Sequence, residues 1–257
     1  MKNNKKSYKV LVTGASGYLG IYCVVELLKA GYFVRATLRN ISDESKLREI
    51  IENEIDTKNN LEFCELDLTE DQHWDAVMKD CYYVLAIATP SSTLKYSQLD
   101  ELISITQSSV LRLLKFAKKA GIKRVILTSS QATVTYGHHN KNKIYNGLDW
   151  TNLNNPSLDA YIISRTISEK MAWKFINSQE NKTLELCTLN PGFMVGPLLH
   201  DKIRGISANK FKSIFTKRIF LFPNRYVNCI DVRDFAKLQV AAIKCDQASG
   251  KRFLCIK

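Results

Sequence analysis

The chain has 257 residues, 45% of them apolar, and a formal charge of +12, enough for one large α/β core with a small appended lobe. Its seven cysteines, at 23, 64, 81, 187, 229, 245 and 255, form no C-x-x-C pair, which argues against a disulfide framework or structural zinc and for a reducing, cytoplasmic setting. No 18-residue apolar stretch is present, the "VLV" run behind the basic "MKNNKK" is far too short for a signal-peptide core, and the lysines and arginines are scattered, so neither membrane nor nucleic acid is an expected partner.

From the N-terminus the pattern is strand then helix, repeated. "YKVLVTG" (8–14) is a strand ending in a glycine turn, "YLGIYCVVELLKAG" (18–31) an amphipathic helix closed by Gly31, and "YFVRATLR" (32–39) a second strand. Helix 44–54, strand 61–66, short helix 71–79, strand 82–88, a long helix over 98–120 and strand "KRVILTSS" (123–130) follow. This alternation predicts a parallel sheet. Residues 134–157, polar and rich in asparagine, interrupt the rhythm as a functional loop. A helix of about 17 residues begins near Leu158, then strand "LELCTL" (184–189) and a proline- and glycine-punctuated loop, "NPGFMVGPLLHDKIRG" (190–205). A short helix near 206–215, strand "YVNCI" (226–230), a helix over 231–244 and strand "RFLCI" (252–256) complete the chain.

"TGASGYLG" places Gly14, Gly17 and Gly20 between a strand and a helix. The first glycine permits the turn, the second lets the backbone approach a pyrophosphate, and the third allows close helix-to-strand contact. At the end of the second strand stands Arg39, where a carboxylate would grip an unphosphorylated ribose. A guanidinium there binds a 2′-phosphate, so NADP(H) is expected rather than NAD. Lys46 adds a second cation nearby, and Asp67 is placed to accept from an adenine amino group. Thr69 with Gln72 makes a capping-box pattern, which leaves Asp67 free for a ligand.

Strand 123–130 ends in Thr128-Ser129-Ser130, and strand alternation lets only one of the two serines face a cleft at the carboxyl edge. In "DAYIISR" (159–165), Tyr161 and Arg165 lie four apart at the start of a helix, on one face. A phenol with its ordinary pKa of about 10 needs a nearby cation to act as an acid catalyst at neutral pH. His138 and His139 have no carboxylate or cysteine at ligand spacing and read as surface residues, so no metal is expected. Asp231 and Asp234 read as helix caps.

In order, "TGASGYLG", the "DL" at 67–68, "AIATP", "RVILTSS", "YIISRTISEKMAW", "LNPGFMVGP" and "YVNCIDVRDFAK" resemble the extended short-chain dehydrogenase/reductases. The nearest branch is that of dihydroflavonol reductase, cinnamoyl-CoA reductase and the yeast-type methylglyoxal and aldehyde reductases. The resemblance runs from Lys9 over nearly the whole chain. It implies a Rossmann-type doubly wound α/β fold with a small, incomplete C-terminal substrate lobe, an NADPH cofactor and reduction of a small-molecule carbonyl. Ser130 would hydrogen-bond the substrate carbonyl, Tyr161 would protonate it, and Arg165 would supply the cation. The cofactor would meet Thr13, Gly14, Ser16, Gly17, Tyr18, Leu19 and Gly20 in the turn, Arg39 and Lys46 beyond the second strand, and Asp67 and Leu68 after the third. Ala88, Thr89, Pro90 and Pro191 would complete its site.

The sequence departs from that family at three points. Arg165 replaces its lysine, Ser109-Val110 replaces its usual Gly-Thr, and the chain ends at "GKRFLCIK", where relatives continue. Segments 134–157 and 191–225 are the expected substrate-facing parts of one nucleotide-binding domain, and a homodimer is an expected assembly. A nucleotide-binding protein without catalysis, or a sugar-nucleotide epimerase or dehydratase, remains an alternative on the same scaffold.

Overall fold

The computed structural model describes residues 8–90, 99–139, 142–180, 183–200 and 227–257. In chain order the elements are β1 (Lys9–Thr13), α1 (Tyr18–Lys29), β2 (Phe33–Leu38), α2 (Glu44–Glu52), β3 (Leu61–Glu65), α3 (Trp74–Met78), β4 (Cys81–Ala86), α4 (Leu99–Lys119) and β5 (Arg124–Thr128). There follow α5 (Ala160–Asn177), β6 (Glu185–Pro191), β7 (Phe193–Val195), β8 (Cys229–Asp231), α6 (Val232–Lys244) and β9 (Arg252–Cys255). The main sheet has the order β3-β2-β1-β4-β5-β6-β9 with every neighbouring pair parallel. This is the dinucleotide-binding doubly wound order with a seventh strand on the β6 edge, as expected, and its switch point lies between β1 and β4.

The central strands β1, β4, β5 and β6 are buried on both faces, and successive residues feed two apolar layers. Val10, Val12, Tyr83, Leu85 and Ile126 pack with α1 and α6, whereas Leu11, Val84, Ala86, Val125 and Leu127 pack with α3, α4 and α5. The period of two therefore supplies a core to either side of the sheet. Trp74, fully buried, stacks on Phe116 of α4 with ring centroids 5.8 Å apart, which anchors the short α3. Arg124, at the start of β5, is also buried. Its Nε donates to Glu185 at 2.5 Å, and its Nη1 donates to the carbonyls of Ala242 and Cys245 at 2.9 and 2.7 Å, satisfying the C-terminal end of α6.

Two sequence expectations change. The helix expected over 71–79 shrinks to Trp74–Met78, because His73 enters with φ +67° and no turn of helix forms before it. The segment read as a loop after residue 189 is strand as far as Pro191 and again over Phe193–Val195, which pairs in parallel with β8. Gly192 permits this approach: a Cβ there would lie 2.4 Å from the Asn228 carbonyl oxygen. That partner is remote in the chain, so local glycine and proline content could not reveal it. The helix expected near 206–215, and most of 191–225, lie outside the described residues. Among the described residues no helix is long and apolar enough to cross a membrane.

Candidate active site

The glycine turn joins β1 to α1 at the switch point. Gly14 has φ +69°, and a Cβ on it would sit 2.5 Å from the Ala88 Cβ at the exit of β4. A Cβ on Gly20 would meet the Gly14 carbonyl oxygen at 2.2 Å and the Ala15 Cα at 2.8 Å, so only glycine allows α1 this close to β1. The N-cap of α1 is Gly17, no side chain caps the helix, and its first turn carries no acidic residue. Its leading amides and positive dipole end are thus left for an anion, and the residues fit a dinucleotide pyrophosphate.

Within this turn the side chains divide their work. Ser16 is exposed and Leu19 buried. Thr13 is fully buried, and its hydroxyl accepts from the amides of Ile87 and Ala88 at 3.1 and 3.3 Å, so the side chain ties β1 to the end of β4 instead of reaching a ligand. Tyr18 likewise turns inward: its phenol donates to the Gly196 carbonyl at 2.8 Å. Burial, with Tyr22 and Asp231 nearby, pushes that phenol up to about 12. Of these two, only the backbone remains for a cofactor.

Arg39 is exposed, and neither it nor Lys46 makes a hydrogen bond or ion pair among the described residues. By contrast Arg35, on the same strand, is consumed by Glu62 at 2.6 Å and by the carbonyls of Ala76, Val77 and Lys79. Asp67 corrects the sequence reading. No capping box forms at Thr69 and Gln72, because no helix begins there. Instead Asp67 Oδ1 accepts from both the amide and the hydroxyl of Thr69 at 2.7 Å. Those two bonds are the main reason its carboxyl lies below the usual range, and the Arg39 and Arg112 charges add to the effect. Leu68 offers its carbonyl to Arg112 at 3.1 Å and, with Ala88, Thr89, Pro90, Ser109 and Val110, lines a largely apolar crevice beside the switch point.

At the carboxyl end of β5 the two serines part. Ser129 is buried and donates to Glu169 at 2.5 Å. Ser130 is half-buried; its oxygen caps the turn Gln131–Thr133 by accepting from the Ala132 amide at 3.1 Å, and its own proton has no acceptor among the described residues. Tyr161 opens α5, just after the N-cap Asp159, which accepts from the Ile162 amide at 2.8 Å. Its phenol oxygen makes no hydrogen bond among the described residues, and the ring is half-buried. Arg165, one turn on, is 7% exposed and donates to Thr89 Oγ1 at 2.5 Å and to the Thr128 carbonyl at 2.7 Å. Its Nε is buried without a partner. The arginine thus bridges the loop after β4 to the end of β5. Pro191, the last residue of β6, is buried beside the same edge.

Sequence reasoning missed Glu169, Asn190 and Arg252. Glu169 lies in the quoted "YIISRTISEKMAW", but the buried face of α5 is itself mostly polar, with Ser164, Arg165, Thr166 and Ser168, so helical periodicity gave no signal that singled it out. It is 2% exposed, with Arg252 Nε at 2.7 Å. Burial alone would raise its pKa, but the Arg252 charge and hydrogen bonds from Arg252, Ser129 and Thr133 outweigh it and hold the carboxyl below the usual range. No group of three or more histidines, cysteines, aspartates or glutamates suited to a metal exists among the described residues. His138 packs against the Tyr145 ring at 5.2 Å.

A profile of the NAD dependent epimerase/dehydratase family matches residues 10–254. Cinnamoyl-CoA reductase CAD2 of Medicago truncatula is 31% identical over 260 residues, covering 99% of this chain and 78% of the relative. Dihydroflavonol 4-reductase of Arabidopsis thaliana is 34% identical over 196 residues, covering 74% of this chain but only 50% of the relative. Among solved structures, the yeast methylglyoxal/isovaleraldehyde reductase Gre2 complexed with NADPH superposes with a TM-score of 0.84 at 26% identity, covering 96% of this chain and 78% of that one. The family profile spans nearly all of the sheet and both helical layers, and the chain belongs to the NAD dependent epimerase/dehydratase family.

Proposed function

We propose that the protein is an NADPH-dependent reductase that converts a small aldehyde or ketone to the alcohol. The observation that carries this reading is the pair of unspent hydroxyls, on Ser130 just after β5 and on Tyr161 in the first turn of α5, together with a glycine turn that suits a dinucleotide. Gly14, Gly17 and the first turn of α1 would hold the pyrophosphate, Arg39 and Lys46 the 2′-phosphate, Asp67 and Leu68 the adenine end, and Ala88, Thr89, Pro90 and Pro191 the remainder. When bound, NADPH supplies the hydride. The chain's own task is to manage the charge that develops on the carbonyl oxygen. Ser130 donates its free hydrogen to that oxygen, and Tyr161 delivers the proton that makes it a hydroxyl. Arg165 fixes the loop after β4 against the end of β5, next to Ser130. Substrate selection falls to segments 134–157 and 191–225. The carbonyl class is supported by the names of the relatives, two of which are reductases of cinnamoyl-CoA and dihydroflavonol. Seven unpaired cysteines support a cytoplasmic setting, and we propose a homodimer as the assembly.

The test is NADPH oxidation against a panel of small aldehydes, α-dicarbonyls and aromatic ketones. Tight NADPH binding without turnover on any of them would favour a non-catalytic nucleotide-binding protein, and turnover only with a nucleotide sugar would favour an epimerase or dehydratase. Cofactor choice is a separate expectation. A charge-assisted contact from Arg39 to the 2′-phosphate contributes about 1.5–3 kcal/mol, so NADPH should bind at least about tenfold more tightly than NADH. Fluorescence or calorimetric titration of both cofactors should show that preference collapsing in Arg39→Ala. An Arg39→Ala protein that keeps it would remove Arg39 from the role.

A further inference from the structure

Glu169 is the only acidic side chain fully buried among the described residues. Its Oε2 accepts from Ser129 Oγ at 2.5 Å, Thr133 Oγ1 at 2.6 Å and Asn190 Nδ2 at 2.8 Å. Its Oε1 accepts from Arg252 Nε at 2.7 Å, Thr188 Oγ1 at 3.0 Å and Trp173 Nε1 at 3.4 Å. The donors come from the end of β5, the turn after it, β6, β9 and α5 itself, so one carboxylate gathers every element that converges behind Ser130. Asn190 Nδ2 also reaches the Ser130 carbonyl at 3.3 Å.

Arg252 extends the network outward. Its Nη1 donates to the carbonyls of Gly147 and Asp149 at 2.8 and 2.6 Å, and its guanidinium lies 3.5 Å from the centroid of the Trp150 ring. Gly147 presses so close to β9 that a Cβ there would meet the Arg252 carbonyl oxygen at 2.0 Å. For stability alone, a well-packed apolar pair would serve as well as a buried ion pair. What an apolar pair cannot do is fix five elements in register through directed bonds.

We infer that Glu169 and Arg252 are positioning residues, which lock the Ser129–Ser130 strand end and the 147–150 backbone onto the helix that carries Tyr161 and so set the spacing of the two hydroxyls. The inference rests on the reductase reading. The two residues act at different distances. Glu169 holds the hydroxyl frame, whereas the outer nitrogens of Arg252 hold the loop that would face the substrate.

The experiment compares wild type, Glu169→Gln, Arg252→Lys and the double variant Glu169→Gln/Arg252→Met, which leaves no unpaired buried charge and so folds even where the single glutamine variant does not. For each, NADPH affinity is measured by fluorescence, turnover with phenylglyoxal as probe, and backbone hydrogen exchange across 129–135 and 146–152. Glu169→Gln and the double variant should lose about tenfold or more in kcat, with NADPH affinity unchanged within about twofold. Arg252→Lys keeps the charge on Glu169 but not the loop contacts, and should chiefly raise KM for phenylglyoxal. Exchange at 129–135 should accelerate in the first two, and at 146–152 in all three. An unchanged kcat in the double variant, or a fall matched by an equal loss of NADPH affinity, overturns the inference. If the wild type itself turns over no carbonyl, the reductase reading fails; the exchange pattern then decides the positioning network, and unaltered protection overturns it.

Discussion

Tyr161→Phe should cut carbonyl reduction by about 10²- to 10⁴-fold, the usual contribution of a positioned proton donor, while leaving the fold and NADPH affinity intact. The fold should survive because the lost oxygen makes no hydrogen bond among the described residues and the ring is half-buried. Arg165→Lys should move the other way and raise turnover by about tenfold, or 1.4 kcal/mol of barrier. In the native protein the guanidinium is committed to Thr89 and the Thr128 carbonyl, and its buried Nε has no acceptor. An ammonium is compact, carries three rotatable donors and leaves no such orphan, so it can serve the phenol and a ribose together. Steady-state NADPH oxidation by the three proteins decides the matter, with cofactor binding checked in each. Activity that survives Tyr161→Phe removes the tyrosine from its role. No turnover in either wild type or Arg165→Lys, despite tight NADPH binding, favours the non-catalytic reading.

Gly20→Ala is expected to be the most damaging single-methyl change in the cofactor turn. The added Cβ would meet backbone atoms, the Gly14 carbonyl oxygen at 2.2 Å and the Ala15 Cα at 2.8 Å, and no side chain can swing aside to admit it. The first turn of α1 must move away from β1, which misdirects the amides that would face the pyrophosphate. We expect a loss of about 3 kcal/mol in stability, the upper end for overpacking. NADPH affinity should fall by about 10²-fold, equivalent to about 2.7 kcal/mol. Gly31→Ala is the control. Gly31 also has a positive φ, +83°, but nothing lies within 4 Å of its Cβ position. It should cost only about 1–2 kcal/mol of backbone strain and leave NADPH affinity unchanged. Denaturant melts and cofactor titrations of both proteins separate the two effects. Equal NADPH affinity in Gly20→Ala and wild type would show that the close contact does not shape the phosphate site.

Some of this protein was determined by the sequence alone, because the signals are local. Short, nearly continuous apolar runs alternating with stretches of helical spacing specify buried parallel strands with crossover helices, and the seven-stranded sheet has that form. Glycines three apart between a strand and a helix mark a place where side chains cannot fit, and the contacts around Gly14 and Gly20 express that sterically. The place of Arg39 directly after β2 was equally legible, since it needs only the local strand pattern.

Other features were decided by the tertiary structure, because they depend on partners far apart in the chain. Alternation allowed one serine of the Ser129-Ser130 pair to face the cleft, but it is Glu169, on another element, that turns Ser129 inward. Thr69 looked like a helix cap until the absence of a helix left it bonding Asp67 instead. The glycine- and proline-rich segment after β6 became strand only because β8 came alongside it. Arg165 looked like a cation for Tyr161, and the partners that packing gives its guanidinium are Thr89 and the Thr128 carbonyl. Glu169 and Arg252, 83 residues apart, had no mark in local periodicity. A buried charge is stable only where several donors converge on it, and such convergence arises from the folded chain and not from any one segment of it.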